Sequence, residues 1–279
     1  MVIIADSGST KTDWALTDGK GFRCVKTQGI NPVLMDSEAI AEVVRGELLP
    51  QLGTSKVEAV HFYGAGVRDD MKQKMAEAFA SVIDCRDMKF HSDLLGAAHA
   101  LCGHHEGIAC ILGTGANSCL YDGRQIVANT PALGFILGDE GGGAALGKRF
   151  LNAIFKGELP AEVRDAYLES THLTLADIIR KVYREPMPNR FLASTSLFIG
   201  QHIEREDVRQ LVVENFRLFF RRNIVPYGRR DLSVNFVGSV AFYYENLLRE
   251  AAREERFEVG AVMKSPLEGL VNYVISIRS

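Results

Sequence analysis

The chain reads as an α/β protein of two related lobes, each opened by three successive strands and completed by strands alternating with helices, with a helical insert in the second lobe. Three observations carry that reading. First, the stretch ADSGSTKTDW, residues 5–14, follows the apolar run Val2-Ile3-Ile4. An apolar strand thus ends in a Gly/Ser/Thr turn and resumes with period-2 alternation, the pattern of a hairpin. Second, the plan returns in residues 109–120: Ala109-Cys110-Ile111-Leu112 enters Gly113-Thr114-Gly115 and alternation resumes at Ala116, with Asp122-Gly123 where the first copy has Asp18-Gly19. A repeated supersecondary unit points to two halves of one design. Third, a block of almost wholly helical pattern interrupts the second copy before its remaining strands. Residues 1–106 are assigned to the first lobe and 107–279 to the second, with the insert at about 144–204.

In the first lobe, residues 2–5, 13–17 and 22–27 read as strands, and Asp18-Gly19 marks the second turn. Gly29-Ile30-Asn31-Pro32 breaks the pattern. Residues 37–51 then show helical spacing through Ile40, Val43, Val44 and Leu48, opened by Asp36 or Ser37 as a cap. A strand at 56–63 runs into the small-residue loop Gly64-Ala65-Gly66, and 69–83 is a helix with Met71, Met75, Phe79 and Val82 on one face. Residues 88–91 form a short strand, and Ser92-Asp93 caps a helix over 94–101. In the second lobe the hairpin is followed by a strand at 125–128, the segment LGFILGDEGGG (133–143) and a helix at 144–155. Helices are expected at 161–169, 175–183 and 192–199, and a strongly amphipathic one at 207–224 whose Phe216, Phe219 and Phe220 are core residues. A strand at 234–237 meets Gly238-Ser239 and a helix at 240–255; a last strand, 259–263, and a last helix, 266–277, close the chain.

With 279 residues and 47% hydrophobic content, the chain has enough apolar surface for a sizeable core and the length of two lobes. Its 32 Lys and Arg against 35 Asp and Glu leave a net charge of −3, which gives no electrostatic pull toward nucleic acid or an anionic membrane. The start lacks a basic leader, and no stretch approaches the roughly 18 apolar residues of a membrane span. A cytoplasmic protein is expected. The five cysteines, Cys24, Cys85, Cys102, Cys110 and Cys119, contain no CxxC and do not cluster with histidine. They read as free thiols packed in strands and helices, not as a metal or iron–sulfur site. The pair His104-His105 reads as a solvated loop.

The first turn has the composition of a phosphate grip. Backbone N–H groups and hydroxyls of Gly8, Ser9, Thr10 and Thr12 can approach an anion closely, and Lys11 adds a positive charge. It is not a Walker A loop, because GxxxxGK[ST] is absent and the following segment alternates instead of entering a helix. The bland reading, an ordinary Gly/Ser turn, applies to either copy alone; the second copy, facing the first, makes a two-sided clamp on nucleotide phosphates the sharper one.

These paired hairpins, with a late strand entering Gly238-Ser239-Val240, resemble the sugar kinase, heat-shock protein 70 and actin superfamily, whose lobes are ribonuclease H-like. Within it, ADSGSTKTDW, ILGTGANS and LGFILGDEGGG are similar to the N-acetylglucosamine kinase group, which belongs with the BadF/BadG/BcrA/BcrD ATPase family. The resemblance spans nearly the whole chain. It implies the actin-like ATPase and sugar kinase fold, with ATP as cofactor and Gly8 to Thr12 and Gly113-Thr114-Gly115 as its phosphate loops. VNFVGSVAF, with Gly238, Ser239 and Val240, would be the adenosine segment; an apolar strand feeding a glycine at a helix start leaves room for a flat base. A simple strand-to-helix turn is the rival reading.

By the same resemblance Asp93 is the catalytic base, since an acceptor hydroxyl needs a carboxylate within reach to take its proton; the rival reading is that it only caps its helix. Asn31, Asn117 and Asp139, together with Asp93, match positions that hydrogen-bond the sugar, whose hydroxyls both donate and accept. Glu140 supports Asp139 or places charge at a helix start. Asp6 is expected to hold Mg2+ through water, with Asp13 a second candidate, because oxygen-rich, water-mediated coordination suits that ion. The chain departs from the eukaryotic N-acetylglucosamine kinases at Leu133, where they carry a Trp on the acetamide side of the pocket, and this leaves room for a bulkier sugar such as N-acetylmuramic acid. The HxCxC zinc cluster of another bacterial sugar kinase group is missing. The implied activity is ATP-dependent phosphorylation of an amino sugar, N-acetylglucosamine at the 6-hydroxyl. The alternatives are an ATPase that energises a protein partner without an iron–sulfur cluster, and an ATP-gated binding protein related to actin or the chaperones. Kinases of this kind are often dimers, which makes a second copy a candidate partner, although no residue pattern marks an interface.

Overall fold

Near-continuous apolar runs flanked by half-polar ones set the strand order of each sheet. The structure, a computed structural model, describes residues 1–8, 10–53 and 56–278. In the first sheet β1 (Val2–Ser7), β2 (Lys11–Thr17) and β3 (Phe22–Gln28) pair antiparallel, while β4 (Ala59–Gly64) and β5 (Asp87–Ser92) join in parallel on the other side of β1. The order is β3-β2-β1-β4-β5. β1 and β4 are buried on both faces, as parallel neighbours covered by helices must be, whereas β3 buries only Val25 and Thr27. The second sheet contains β6 (Glu106–Leu112), β7 (Ala116–Asp122), β8 (Ile126–Ala128), β9 (Val234–Val237) and β10 (Val259–Met263) in the order β8-β7-β6-β9-β10. Its β6/β7 pairing is antiparallel and its β6/β9 and β9/β10 pairings are parallel. The repeat in the sequence is thus a repeat of strand order and direction.

The first unit comprises Met1–His105, Gly123–Ile126 and Ser265–Ser279. Its helices are α1 (Ser37–Val43), which runs through a π turn at Val44–Leu48 into α2 (Leu49–Leu52), then α3 (Lys72–Ala80) and α4 (Asp93–Cys102). The second unit comprises Glu106–Asp122 and Val127–Lys264. It carries α5 (Gly134–Leu137), α6 (Gly143–Lys156), α7 (Ala161–Thr171), α8 (Leu175–Tyr183), α9 (Pro188–Gln201), α10 (Glu206–Phe219), α11 (Ser239–Tyr243) and α12 (Glu245–Glu254). A π turn, Phe220–Ile224, and a 3-10 turn, Val225–Tyr227, extend α10. The Phe residues of α10 are core, as expected: Phe216, Phe219, Phe220 and Phe236 of β9 are all fully buried.

The last helix, α13 (Leu267–Ser276), differs from the sequence reading, which gave residues 107–279 to the second lobe. It packs in the first unit, where Leu270, Val271 and Val274 cover Ile4, Ala15 and Tyr63. Gly269 allows this, since a Cβ there would stand 2.5 Å from the carbonyl oxygen of Ala100 in α4. The single helix expected at 240–255 is two helices, interrupted at Tyr244, whose buried hydroxyl donates to the Ser196 carbonyl.

A group of histidines, His61 and His99 buried and His91 half-buried, lies near α13. Tyr63 Oη and His99 Nδ1 share a 3.1 Å hydrogen bond, His99 stacks on Tyr273 at 3.9 Å, and His91 stacks on Tyr63 at 5.2 Å. His61 Nε2 is buried without a partner among the described residues. Burial pushes His61 and His91 down to about 4 and His99 to about 3, so all three are neutral in the folded chain near neutral pH. The unfolded chain takes up these protons below its ordinary histidine value of 6.5, and the folded chain does not until near 4. Stability therefore falls as pH drops through that window. Replacing His61 with Leu removes one of these groups, and the thermal midpoint of His61→Leu relative to the parent should climb by several degrees from pH 6.5 to pH 4.5. A midpoint difference independent of pH would refute this account.

Candidate active site

In the first unit the polar residues gather where β1 and β4 end. Asp6, next to last in β1, is cross-strand from Asp13 of β2 and from Tyr63 of β4. Burial pushes its carboxyl up to about 7; the Asp13 and Asp93 carboxylates push the same way and Lys11 opposes them. Lys11 Nζ itself is bound to Asp13 Oδ2 at 2.6 Å and its side chain is largely exposed. Asp93 opens α4, but it does not cap it: the N-cap is Ser92, whose hydroxyl accepts from Leu95 N–H. Asp93 Oδ1 accepts from Leu94 N–H at 2.9 Å, and burial holds its carboxyl above the ordinary value.

The first turn is held from behind. Ser7 Oγ and Thr12 Oγ1 lie 2.7 Å apart, Ile30 N–H donates to Ser7 Oγ, and Thr12 Oγ1 donates to the Gln28 carbonyl. Thr12 is fully buried, and its hydroxyl braces the turn instead of facing outward. Gly8, Thr10 and Lys11 are exposed, and Ser9 lies outside the described residues. Gly29 crosses the turn so closely that a Cβ would stand 2.3 Å from the Gly8 carbonyl oxygen and 2.6 Å from Thr10 N. Its position carries the chain to Asn31, whose Oδ1 accepts from Val33 N–H and lies against Gly66 in the loop after β4.

In the second unit another group forms around the second turn. Asp139 has φ 58°, a left-handed conformation rare outside glycine. Its N–H donates to the Ala132 carbonyl, and its own carbonyl accepts from Gly142 N–H. Its carboxylate accepts from Ala116 N–H and lies against Gly115, where a Cβ would be 2.7 Å from Oδ2; burial raises its carboxyl. The first N–H groups of α6, from Gly143 and Ala144, donate to the carbonyls of Gly113 and Thr114. Asn117 Oδ1 accepts from Ser118 N–H at 2.9 Å and Asn129 Nδ2 at 3.0 Å. Gly238 has φ 125° and packs against the same turn, 2.3 Å from the Leu112 carbonyl oxygen for a hypothetical Cβ.

A cavity of about 750 Å³ opens beside Ser239 and Val240, walled also by Leu197, Gly200, Gln201 and Tyr243. Ser239 and Val240 stand out in the sequence, whereas the wall from α9 does not. The only sequence signal for that wall is Gly200, a glycine within a helix, where a Cβ would touch Tyr244 Oη at 3.2 Å.

Two units of one strand order, each opened by a glycine-rich hairpin, define the two-lobed fold of the actin-like ATPases and sugar kinases. No family model matches the chain, and no curated protein does. Among solved structures, a Porphyromonas gingivalis protein provisionally assigned as an N-acetylglucosamine kinase is 47% identical over 100% of both chains, with a TM-score of 0.96. The chain belongs to the N-acetylglucosamine kinase-like family. A Chromobacterium violaceum protein with the same provisional assignment shares the fold at 17% identity, covering 98% of each chain with a TM-score of 0.71. A ROK hexokinase from Thermus thermophilus does so at 18% identity, covering 99% of each chain with a TM-score of 0.56.

The raised carboxyl of Asp6 has a measurable consequence for stability. The folded chain holds this proton up to about pH 7, whereas the unfolded chain releases it near 3.8. Folding therefore becomes less favourable as pH rises through that window, and the penalty is complete above it. Asp6→Asn should stabilise the ligand-free protein by on the order of a few kcal/mol at pH 8, or about 2–4 °C in thermal midpoint per kcal/mol. The gain should shrink toward pH 4. Equal midpoints of parent and variant at pH 8 would show that the carboxylate is not buried as described.

Proposed function

We propose that the chain is a kinase that transfers the γ-phosphoryl group of ATP, with Mg2+, to the 6-hydroxyl of an amino sugar, N-acetylglucosamine. The observation that carries this reading is the 47% identity over the full length of both chains with the Porphyromonas gingivalis protein. The placement of the acids supports it. Because Ser92 caps α4, the Asp93 carboxylate remains available to a hydroxyl, and its raised affinity for a proton suits a base working near neutral pH. In this reading the sugar O6–H proton passes to Asp93 as the bond from O6 to the γ-phosphorus forms and the bond to the ADP oxygen breaks.

Asp6 and Asp13 fit a hard cation. A carboxyl pushed up to about 7 by burial and two neighbouring acids, with Lys11 only partly opposing them, would gain from a bound cation. Among the described residues no three His, Cys, Asp or Glu side chains form a metal-holding group, and this suits an ion that keeps most of its coordination to water and phosphate oxygens. When bound, Mg2+ would neutralise charge on the phosphate oxygens. Gly8, Thr10, Lys11, Gly113, Thr114 and Gly115 are the phosphate contacts in this reading. The cavity beside Gly238, Ser239 and Val240 takes the nucleoside, since its volume matches ordinary ligand sites. Asn31, Asn117 and Asp139 bind sugar hydroxyls. In this reading Leu133, exposed at 63%, borders the acetamide side of the sugar, so N-acetylmuramic acid belongs among the substrates to test. ATP supply places such an enzyme in the cytoplasm, and no described helix is long and apolar enough to cross a membrane.

Coupled ADP release with ATP and Mg2+, run against glucose, glucosamine, N-acetylglucosamine, N-acetylmannosamine, N-acetylmuramic acid and a blank, tests the proposal. Release confined to one or two N-acetyl sugars is the expected result; a panel no different from the blank sinks the kinase reading. Asp93→Asn should lower sugar-dependent turnover by about 10²–10⁴-fold while leaving ATP binding nearly intact. In the parent, kcat/KM should fall on the acid side as Asp93 takes up its proton, at a pH above the 3.8 of an ordinary aspartate. Undiminished turnover in Asp93→Asn would remove it as the base.

A further inference from the structure

The turn that ends α10 stands behind both groups assigned above to the sugar in the second unit. Arg222, in the π turn, binds Glu140 Oε1 at 2.6 Å. Burial alone would raise the Glu140 carboxyl; the Arg222 guanidinium, with hydrogen bonds from the Glu140 backbone and Asn223, more than offsets it and leaves it below the usual range. Glu140 follows Asp139 directly, so this ion pair, formed across 82 positions of sequence, anchors the strained residue from one side. Five residues on, Tyr227 Oη accepts from Thr130 N–H at 3.0 Å and shares a 2.7 Å hydrogen bond with Ser118 Oγ. Thr130 Oγ1 donates to the Asn223 carbonyl at 3.0 Å. Ser118 N–H and the neighbouring Asn129 Nδ2 are the two donors that hold Asn117 Oδ1. Both chains of contacts therefore start from residues 222–227 and end at Asp139 and Asn117.

We propose that Arg222 and Tyr227 are positioning residues for sugar recognition: Arg222 orients Asp139 through Glu140, and Tyr227 orients Asn117 through Ser118, Thr130 and Asn129. The π turn carries Arg222 and the Asn223 carbonyl and the 3-10 turn after it carries Tyr227, so a break from regular helix turns all three toward these partners; π turns recur at functional sites. The Asn117 oxygen is committed to two donors, so its amide N–H groups are the part directed to a sugar oxygen. The inference rests on the reading that Asn117 and Asp139 bind the sugar.

Steady-state kinetics with N-acetylglucosamine and ATP on Arg222→Gln, Arg222→Lys, Tyr227→Phe, Asn117→Ala and Asp139→Asn test it, with thermal midpoints measured alongside. Arg222→Gln and Tyr227→Phe should each raise KM for the sugar roughly tenfold, the effect of losing one well-placed hydrogen bond, with KM for ATP unchanged. Arg222→Lys should recover part of the loss. In an Asn117→Ala background, Tyr227→Phe should add nothing further. Equal rises in both KM values, or full additivity with Asn117→Ala, would overturn the positioning role even if the midpoint fell. If Asn117→Ala and Asp139→Asn themselves leave the sugar KM unchanged, the sugar reading of those residues fails and this inference fails with it.

Discussion

Burying the Asp6 carboxylate is the constraint on which the first unit depends. A carboxylate withdrawn from water beside two others is destabilising, because burial and like charge both disfavour ionisation, and here they move it to about 7. A folding-driven sequence would place an apolar residue at such a point. The second copy does so: Ile111 occupies in β6, beside Asn117 of β7, the place that Asp6 occupies in β1 beside Asp13 of β2. The scaffold is therefore stable without an acid there. An acid retained in the first copy, where Lys11 is paired with Asp13, is the pattern expected of a charge kept for chemistry at the expense of stability.

The same comparison shows one supersecondary unit carrying different side chains at one place. The position after the hairpin turn that faces β1 or β6 is Asp13 in one copy and Asn117 in the other. A carboxylate suits a hard cation, and an amide, able to donate and accept, suits a neutral polyol. The turns differ too. In the first, Ser7, Thr12 and the strand leaving β3 fix the loop through hydroxyls and a glycine crossing. In the second, carbonyls of Gly113 and Thr114 are taken by α6, which leaves the turn tied to a helix instead of a third strand.

Much of this was legible in the residues, and the parts that were not share a cause. β9 and β10 match their expected bounds, 234–237 and 259–263, because apolar runs between turn residues give a local signal. β1 was expected to end at residue 5 because its last two residues, Asp6 and Ser7, are polar; they continue the strand since their partners lie on other segments. Thr12 resembled an anion ligand by composition, and only its contacts with Ser7 and Gln28 reveal a brace. The expectation that Asp93 shared the capping of α4 gave way to Ser92 alone. α13 joined the first unit through a helix contact at Gly269 that no periodicity encodes. Arg222 reads by sequence as a solvated helix end or a residue near an anion, and Tyr227 carries no local signal, because their partners lie about 80 to 110 positions away. Local patterns predict elements; side-chain roles depend on pairings that distance in sequence conceals.

The helical insert, which the sequence presents as an interruption, is part of the site's mechanics. Its helix α9 supplies Leu197, Gly200 and Gln201 to the cavity beside Ser239. It also packs directly on α6: at Gly147 a Cβ would stand 1.9 Å from the Leu192 carbonyl oxygen and 2.5 Å from Thr195 Oγ1, so only glycine permits the two helices to meet at this separation. α6 in turn donates its first N–H groups to the carbonyls of the second turn. A rigid path therefore runs from the cavity wall through α9 and α6 to Gly113 and Thr114. Any side chain at 147 would move α6 away from α9 and shift the turn's carbonyls with it. The insert, which begins with α6 itself, is thus a structural link between the cavity and the second turn, and it shares one hydrophobic core with the second sheet.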